Sequence, residues 1–370
     1  MEKFDVCIIA FVDVSTDART VNISSTFVKN GLKTCIISIG DQDAIAIRDD
    51  ITYYTIAINP NTKTWQRWLD FYRKVSIVAF DIEAPNVIAE DVYSLPMAAE
   101  FKKRCKSKMI YDSREIYSAL GSLSGRSFKQ WIISYIERRN IKKVDRIVVT
   151  GTRDEEYLRQ NLTDSKPYYL VRNLPPYKDR ILSDKLRQRF NIPDTNKILV
   201  YQGMLMEGRG LQKSIEAISL IANVSFVMLG DGPLKSQLKK KINELNLDAR
   251  VFLAGAVDYT DLHEWTCSAD IGLSLIEPVS KSYELALPNK MFEYIMAGIP
   301  TLCSDLPAMK EIVEQYKIGN VLPPDCSSDD IADAIKHMLL NLEEYCRNCI
   351  PASRQLCFGN QESTVMELVG

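Results

Sequence analysis

At 370 residues with 46% apolar content the chain can bury two sizeable cores, which excludes a disordered or fibrous protein. A formal charge of −2 excludes a general nucleic-acid binder, and the longest apolar runs, such as Val6 to Val12, are far too short to cross a bilayer. The start Met-Glu-Lys-Phe-Asp has no signal-peptide pattern, so a soluble cytoplasmic protein is expected.

Asp5 to Ala10 reads as a buried strand, Asp17 to Lys29 as a helix ended by Gly31, and Lys33 to Ile39 as the next strand. This is a βαβ start, implying a parallel sheet, and the loop Phe11 to Thr16 has no glycine and so no dinucleotide fingerprint. Further strands are expected at Ile51 to Ile58, Ser76 to Phe80 and Val87 to Asp91. A helix at Pro96 to Lys106 then precedes strand Met109 to Tyr111, which runs into the polar group Asp112-Ser113-Arg114-Glu115. Strand ends of this kind face the ligand crevice of a doubly wound sheet. Arg126 to Arg146 mixes Phe128, Trp131, Ile132 and Tyr135 with Lys129, Arg138, Arg139, Lys142 and Lys143. It reads either as a core helix with a solvated basic face or as a surface for anionic lipid or a lipid-linked acceptor. Strand Arg146 to Thr150 follows, and Asn173-Leu174-Pro175-Pro176 breaks the pattern, giving an N-terminal domain of residues 1–175.

The second domain, residues 176–351, alternates strands at Ile198 to Gly203, Ser225 to Leu229, Val251 to Ala254 and Ile271 to Leu275 with helices at Leu211 to Ala222, Leu234 to Leu245 and Thr260 to Ala269. Pro288 to Pro300, PNKMFEYIMAGIP, holds a helix with Asn289 as N-cap and Gly298 as stop, feeding strand Ile299 to Cys303. Free amides at its start, with Lys290, suit a phosphate or diphosphate, and Glu293 suits hydroxyls carried by the same ligand. An ordinary capped surface helix is the alternative. Met309 to Gln315 and Ser328 to Leu340 read as helices, and residues 352–370 as a final helical stretch.

The 46 basic and 48 acidic side chains divide unevenly, with 26 and 22 up to Pro175 and 20 and 26 after it. Both histidines, His263 and His337, lie in the second half, so no histidine of the first half can act as a base. Nine cysteines, most within apolar segments, read as reduced core thiols, and the CxxC of Cys346 and Cys349 lacks the second pair that zinc requires.

Gly203…Arg209-Gly210, Gly230-Asp231-Gly232, Gly255-Ala256-Val257 and PNKMFEYIMAGIP, in that order, resemble the nucleotide-sugar domain of glycosyltransferase family 4. Asp17-Ala18-Arg19, Glu90-Asp91, Tyr111 to Glu115 and Asn173-Leu174-Pro175 resemble first-domain landmarks of relatives that build cell-surface polysaccharides. The resemblance implies an α/β GT-B architecture of two doubly wound, Rossmann-like domains with an inter-domain cleft, the C-terminal stretch 352–370 crossing back to the first. It implies that Arg209 and Lys290 meet the donor diphosphate and that Gly203, Gly230, Asp231, Val257, Asn289 and Glu293 complete the donor site. Asp17, Glu90 and Arg114 stand on the acceptor side. The family's first glutamate falls on Leu285, which leaves Glu284 or Glu277 for that catalytic role. Glu90 and Arg114 occupy positions that are often histidine, and Met204 one that is often basic.

The activity implied is retaining transfer of a sugar from a UDP-linked donor to a hydroxyl of a glycan or lipid-linked acceptor, with no cofactor and no metal. The protein would work at the inner face of the membrane. A non-catalytic GT-B partner subunit and a nucleotide-sugar epimerase are the alternatives.

Overall fold

Apolar runs of five or six residues alternate along the chain with amphipathic stretches, and these become parallel strands and the helices covering them. The structure is a computed structural model and describes residues 1–117 and 127–370. It divides into two compact units, one of Met1–Asn173 with Phe358–Gly370 and one of Leu174–Cys357.

In unit 1 the elements run β1 (Glu2–Lys3), β2 (Val6–Ala10), α1 (Ala18–Lys29), β3 (Thr34–Gly40), β4 (Ala44–Arg48), β5 (Ile51–Ala57), α2 (Thr64–Phe80), β6 (Ile82–Glu83) and β7 (Asn86–Glu90). They continue with α3 (Asp91–Cys105), β8 (Lys108–Ser113), α4 (Ser127–Asn140), β9 (Arg146–Val149), α5 (Thr152–Asn161) and β10 (Tyr168–Leu170). Eight strands form one sheet in the order β10-β9-β8-β7-β2-β3-β5-β4, with only β4 antiparallel to its neighbour. β2, buried at all five residues, sits near the middle of the sheet and places Asp17, the N-cap of α1, just beyond its C-terminal end.

Unit 2 contains α6 (Lys185–Phe190), β11 (Lys197–Gln202), α7 (Leu211–Ser219), β12 (Val224–Leu229), α8 (Lys235–Glu244), β13 (Val251–Gly255), α9 (Tyr259–Cys267) and β14 (Ile271–Ser274). After these come α10 (Lys281–Glu284), α11 (Asn289–Met296), β15 (Thr301–Ser304), α12 (Pro307–Tyr316), β16 (Gly319–Leu322), α13 (Ser328–Leu340) and α14 (Leu342–Gln355). Its six strands are all parallel, in the order β13-β12-β11-β14-β15-β16. α15 (Glu362–Glu367) returns to unit 1, where Glu362 pairs with Lys29 at 3.2 Å and the Arg146 guanidinium donates to the Glu367 and Leu368 carbonyls at 2.7 Å each. Among the described residues no helix is long and apolar enough to cross a membrane.

Four sequence expectations need correction. Ser76 to Phe80 is the last part of α2, not a strand: Phe71, Val75 and Ala79 are buried four residues apart, while Ile77 and Phe80 are 73% and 66% exposed. α3 starts five residues before Pro96, because the Asp91 carboxylate accepts the Tyr93 and Ser94 amides and so begins the helix. Pro288, not Asn289, is the N-cap of α11. Ala352 to Gln355 complete α14 with Ala352 and Ser353 buried, so the return to unit 1 begins at Phe358. β4, α5, β10, α6, β16 and the start of α14 are short or polar and were not expected. Arg126, where the basic aromatic segment begins, lies outside the described residues.

The reassignment of α2 is testable. Phe71→Ala should lower unfolding free energy by about 3–5 kcal/mol in denaturant titration, and Ile77→Ala by no more than about 0.5 kcal/mol. A buried strand at 76–80 requires a large loss at Ile77.

Candidate functional site

The site in unit 2 is built on α11. Its residues Met291, Phe292, Tyr294, Ile295 and Met296 are buried, and this apolar stripe holds the helix against the sheet. Tyr294 sets the height. Its ring lies on Gly272 of β14, where a Cβ would come within 2.2 Å of the ring. The Tyr294 hydroxyl donates to the Leu273 carbonyl at 3.1 Å and accepts the Gln202 amide N–H at 3.2 Å, tying α11 to β14 and β11. Lys290 and Glu293, off the apolar stripe, are half-buried.

The Lys290 ammonium sits 3.7 Å from the centroid of the Tyr201 ring and makes no hydrogen bond or ion pair among the described residues. It fits because residue 203 is glycine with φ +126°: a Cβ there would lie 3.3 Å from Nζ. Gly230 crosses behind, where a Cβ would meet the Gly203 carbonyl oxygen at 2.0 Å, so the turns after β11 and β12 touch backbone to backbone. Burial, then the nearby Arg209 charge, pushes the Lys290 ammonium well below its ordinary pKa against the pull of Glu293. Arg209 stacks 4.7 Å from the centroid of the Tyr283 ring and reaches that hydroxyl at 3.5 Å. Among the described residues neither cation has a carboxylate within ion-pair distance, and two positive groups this close suit an anion.

Glu293 Oε2 accepts a short hydrogen bond from the Gln202 side-chain amide, and Gln202 Oε1 lies 2.9 Å from the Thr266 hydroxyl. Oε1 of Glu293 accepts nothing from the described residues. Burial raises this carboxyl above its ordinary range, opposed by the Gln202 hydrogen bond and by Lys290 and Lys178.

Of the residues expected here, Gly203, Arg209, Gly230, Lys290 and Glu293 come together. Asn289 is exposed beside them at the first turn of α11. Asp231 is exposed, pairs with Lys235 at 2.5 Å and accepts the Gly232 amide at 2.8 Å, and Val257, with Leu262 and Trp265, packs on the apolar cluster that includes Leu186, Val200 and Tyr294. Glu284 pairs with Lys281 at 2.9 Å, Glu277 lies 4.0 Å from Lys213, and Leu285 caps α10. Sequence reasoning missed Tyr201, Gln202, Thr266 and Tyr283. The polar Tyr201-Gln202 pair closing the apolar run Ile198 to Val200 was the available signal.

Unit 1 carries a second polar cluster. Asp17, Glu90 and Arg114 meet at the C-terminal ends of β2, β7 and β8, with the Arg114 guanidinium 2.6 Å from Glu90, 2.5 Å from Asp17 and 3.3 Å from Asp112. Arg19 pairs with both Asp112 oxygens, at 2.7 and 2.9 Å, and donates to the Val171 carbonyl at 2.7 Å. Burial raises Asp112, but Arg19 and then Arg114 outweigh it and hold its carboxyl below the usual range. Glu90 goes the other way: burial pushes it up to about 8 against Arg114, and its Oε2 is buried without a hydrogen-bond partner. Asp91 is pushed up to about 7 by burial despite two backbone donors.

This predicts a definite pH dependence. Between the unfolded value of about 4.5 and the folded value of about 8, native Glu90 holds a proton that the unfolded chain has lost, so its contribution to stability declines as pH rises through that window. Thermal unfolding from pH 5 to 8 should decline less steeply in Glu90→Gln than in the parent chain; equal slopes contradict the assignment.

The family described as glycosyl transferases group 1 matches residues 183–356. The chain is 28% identical over 159 residues to alpha-D-kanosaminyltransferase of Streptomyces kanamyceticus, covering 42% of this chain and 39% of that protein. It is 25% identical over 234 residues to a GDP-mannose-dependent alpha-(1-6)-phosphatidylinositol dimannoside mannosyltransferase of Mycobacterium tuberculosis, covering 62% and 58%. The matched regions therefore span less than two thirds of these relatives' lengths. Among solved structures, sucrose-phosphate synthase from Thermosynechococcus elongatus superposes with a TM-score of 0.80 at 15% identity over 98% of this chain and 97% of that one. HepE of Anabaena, solved with UDP-glucose, gives 0.75 at 14% identity over 98% of both chains. The chain has the GT-B fold of glycosyltransferases, and its residues 183–356 match the family described as glycosyl transferases group 1.

Proposed function

We propose that this chain is a retaining glycosyltransferase that moves a sugar from a UDP-linked donor to a hydroxyl of a glycan or lipid-linked acceptor. The observation that carries the reading is the grouping of Arg209 and Lys290, two cations without an ion-pair partner among the described residues, beside Oε1 of Glu293, which accepts from none of them, at the first turns of α11. In this reading the diphosphate lies against the two cations and the α11 amides, and Oε1 accepts from ribose hydroxyls. HepE was solved with UDP-glucose, which supports a uridine donor, whereas the mannosyltransferase relative is described as GDP-mannose-dependent.

The bond from the sugar's anomeric carbon to the diphosphate oxygen breaks, the acceptor oxygen bonds to the same face, and the acceptor proton passes to the departing phosphate. Nucleoside diphosphate and glycoside leave. No protein base is needed, which agrees with His263 being hydrogen-bonded to the Asp179 carbonyl at 2.9 Å and His337 lying in the last turn of α13. The protein's share is orientation and stabilisation of negative charge on the leaving group, here assigned to Arg209 and Lys290 without a metal. Asp17, Glu90 and Arg114 form the acceptor side in this reading. Glu284, held by Lys281, has a catalytic role only if that ion pair opens.

A contact with the inner face of the cytoplasmic membrane belongs to the same proposal. On α4, Phe128, Trp131 and Tyr135 are 73%, 61% and 49% exposed and stack in sequence, with centroids 6.2 and 5.6 Å apart. From 128 to 143 the cations Lys129, Arg138, Arg139, Lys142 and Lys143 are exposed, and the one carboxylate, Glu137, is buried against the Tyr111 hydroxyl at 2.7 Å. Aromatic edges flanked by cations suit an anionic lipid surface.

Incubation with UDP- and GDP-sugars in water should release nucleoside diphosphate slowly from one of them. Binding without turnover even with an acceptor present would instead indicate a non-catalytic subunit. Arg209→Ala should slow turnover by about 3 kcal/mol, roughly a hundredfold, and an unchanged rate removes Arg209 from the mechanism. Sedimentation with phosphatidylserine vesicles at low salt should retain the chain, with Arg138→Glu and Arg139→Glu each weakening binding by at least about fivefold. No sedimentation at low salt contradicts the membrane contact.

A further inference from the structure

Gln202 ends β11, is 3% exposed, and lies where three elements meet. Its backbone N–H donates to Tyr294 of α11, its side-chain N–H donates to Glu293 of the same helix, and its side-chain oxygen lies 2.9 Å from Thr266 of α9. Thr266 is itself 1% exposed, and its hydroxyl also contacts the Leu262 carbonyl at 2.6 Å within its own helix. The Thr266 hydroxyl has one proton, which serves either Leu262 or Gln202; when it points to Gln202 the amide is held at both ends, and its N–H direction then dictates where the Glu293 carboxylate points.

We propose that Gln202, held by Thr266, is the positioning residue that turns Glu293 so that Oε2 is occupied and Oε1 alone faces the ligand's vicinal hydroxyls. The inference rests on the donor-site reading above. Its physical basis is that a glutamate on the first turns of a helix has three rotatable bonds, and a carboxylate left to choose its own partner has Lys290 on its own helix and Lys178 on the segment after the unit boundary to turn toward. Tyr259, at the start of α9, and Tyr294, on α11, also feel the Glu293 charge, and burial with that charge pushes the Tyr259 phenol up to about 12. Glu293 thus interacts electrostatically with two cations and two phenols, and among the described residues Gln202 is the one group that donates a hydrogen bond to its carboxylate.

Removing the donor has a consequence that a loss of packing does not. Gln202→Leu leaves Oε2 without its hydrogen bond, so the carboxyl protonates at higher pH and acceptance of hydroxyl protons weakens first on the acid side. The experiment is calorimetric titration of the full chain with UDP and GDP and with their 2′,3′-dideoxy counterparts, from pH 6 to 8. For whichever ribonucleotide the parent binds, Gln202→Leu should raise Kd about tenfold at pH 6 and less at pH 8, with the dideoxy nucleotide's Kd unchanged. Thr266→Val, which keeps the amide but frees its far end, should shift Kd in the same direction by a smaller factor, and it decides the matter if Gln202→Leu does not fold. Equal losses for ribo and dideoxy nucleotides, or a loss independent of pH, overturn the positioning role and leave the donor site standing. Failure of the parent chain to bind any of the four nucleotides overturns the donor reading and this inference with it.

Discussion

The placement of α11 depends on one contact, the Tyr294 ring lying on a glycine of β14 with its hydroxyl between two central strands. A helix held only by an apolar stripe can slide or roll, because dispersion contacts are numerous but weakly directional. Tyr294 removes that freedom: its ring fits only where residue 272 has no side chain, and its hydroxyl finds Leu273 and Gln202 only at one height. Lys290 and Glu293 inherit their positions from this fit. So does the approach of Lys290 to Gly203, which a side chain at 203 would crowd.

Unit 1 solves a different problem. Arg19 and Arg114 are drawn into a buried cluster with Asp17, Glu90 and Asp112, where each ion must be compensated or lose its charge. Asp112, facing both arginines, stays ionised more readily than usual, whereas Glu90, served by Arg114 and Thr20 through one oxygen, is held toward its neutral form. Acids with opposed ionisation tendencies thus occupy the ends of neighbouring strands, and the buried Oε2 of Glu90 has no hydrogen-bond partner among the described residues.

The central strands of both units were legible because they are short, apolar and spaced by amphipathic stretches, and α11 was legible because Met291, Phe292, Ile295 and Met296 repeat with helical period. Ser76 to Phe80 was not, since five residues at a helix end look apolar whether or not they face a core. Edge strand β4 escaped notice because Ile45 and Ile47 alternate with alanines in a charged surround, the pattern of a strand with little to bury. In the site, Arg209, Lys290 and Glu293 could be named in advance, while their supports could not. Gln202 and Glu293 are 91 residues apart, and Arg114 and Asp17 are 97 apart. Contacts at such separations leave no periodicity to read. A polar residue closing an apolar strand is the only trace that Gln202 leaves.

The most direct measurement is an experimental structure of the chain with a nucleoside diphosphate bound. The account predicts diphosphate oxygens within hydrogen-bond reach of Arg209 and Lys290, and ribose hydroxyls on Glu293 Oε1 with Oε2 still on Gln202. A nucleotide bound elsewhere, or one seated here with Glu293 turned onto Lys290 or Lys178, would contradict it.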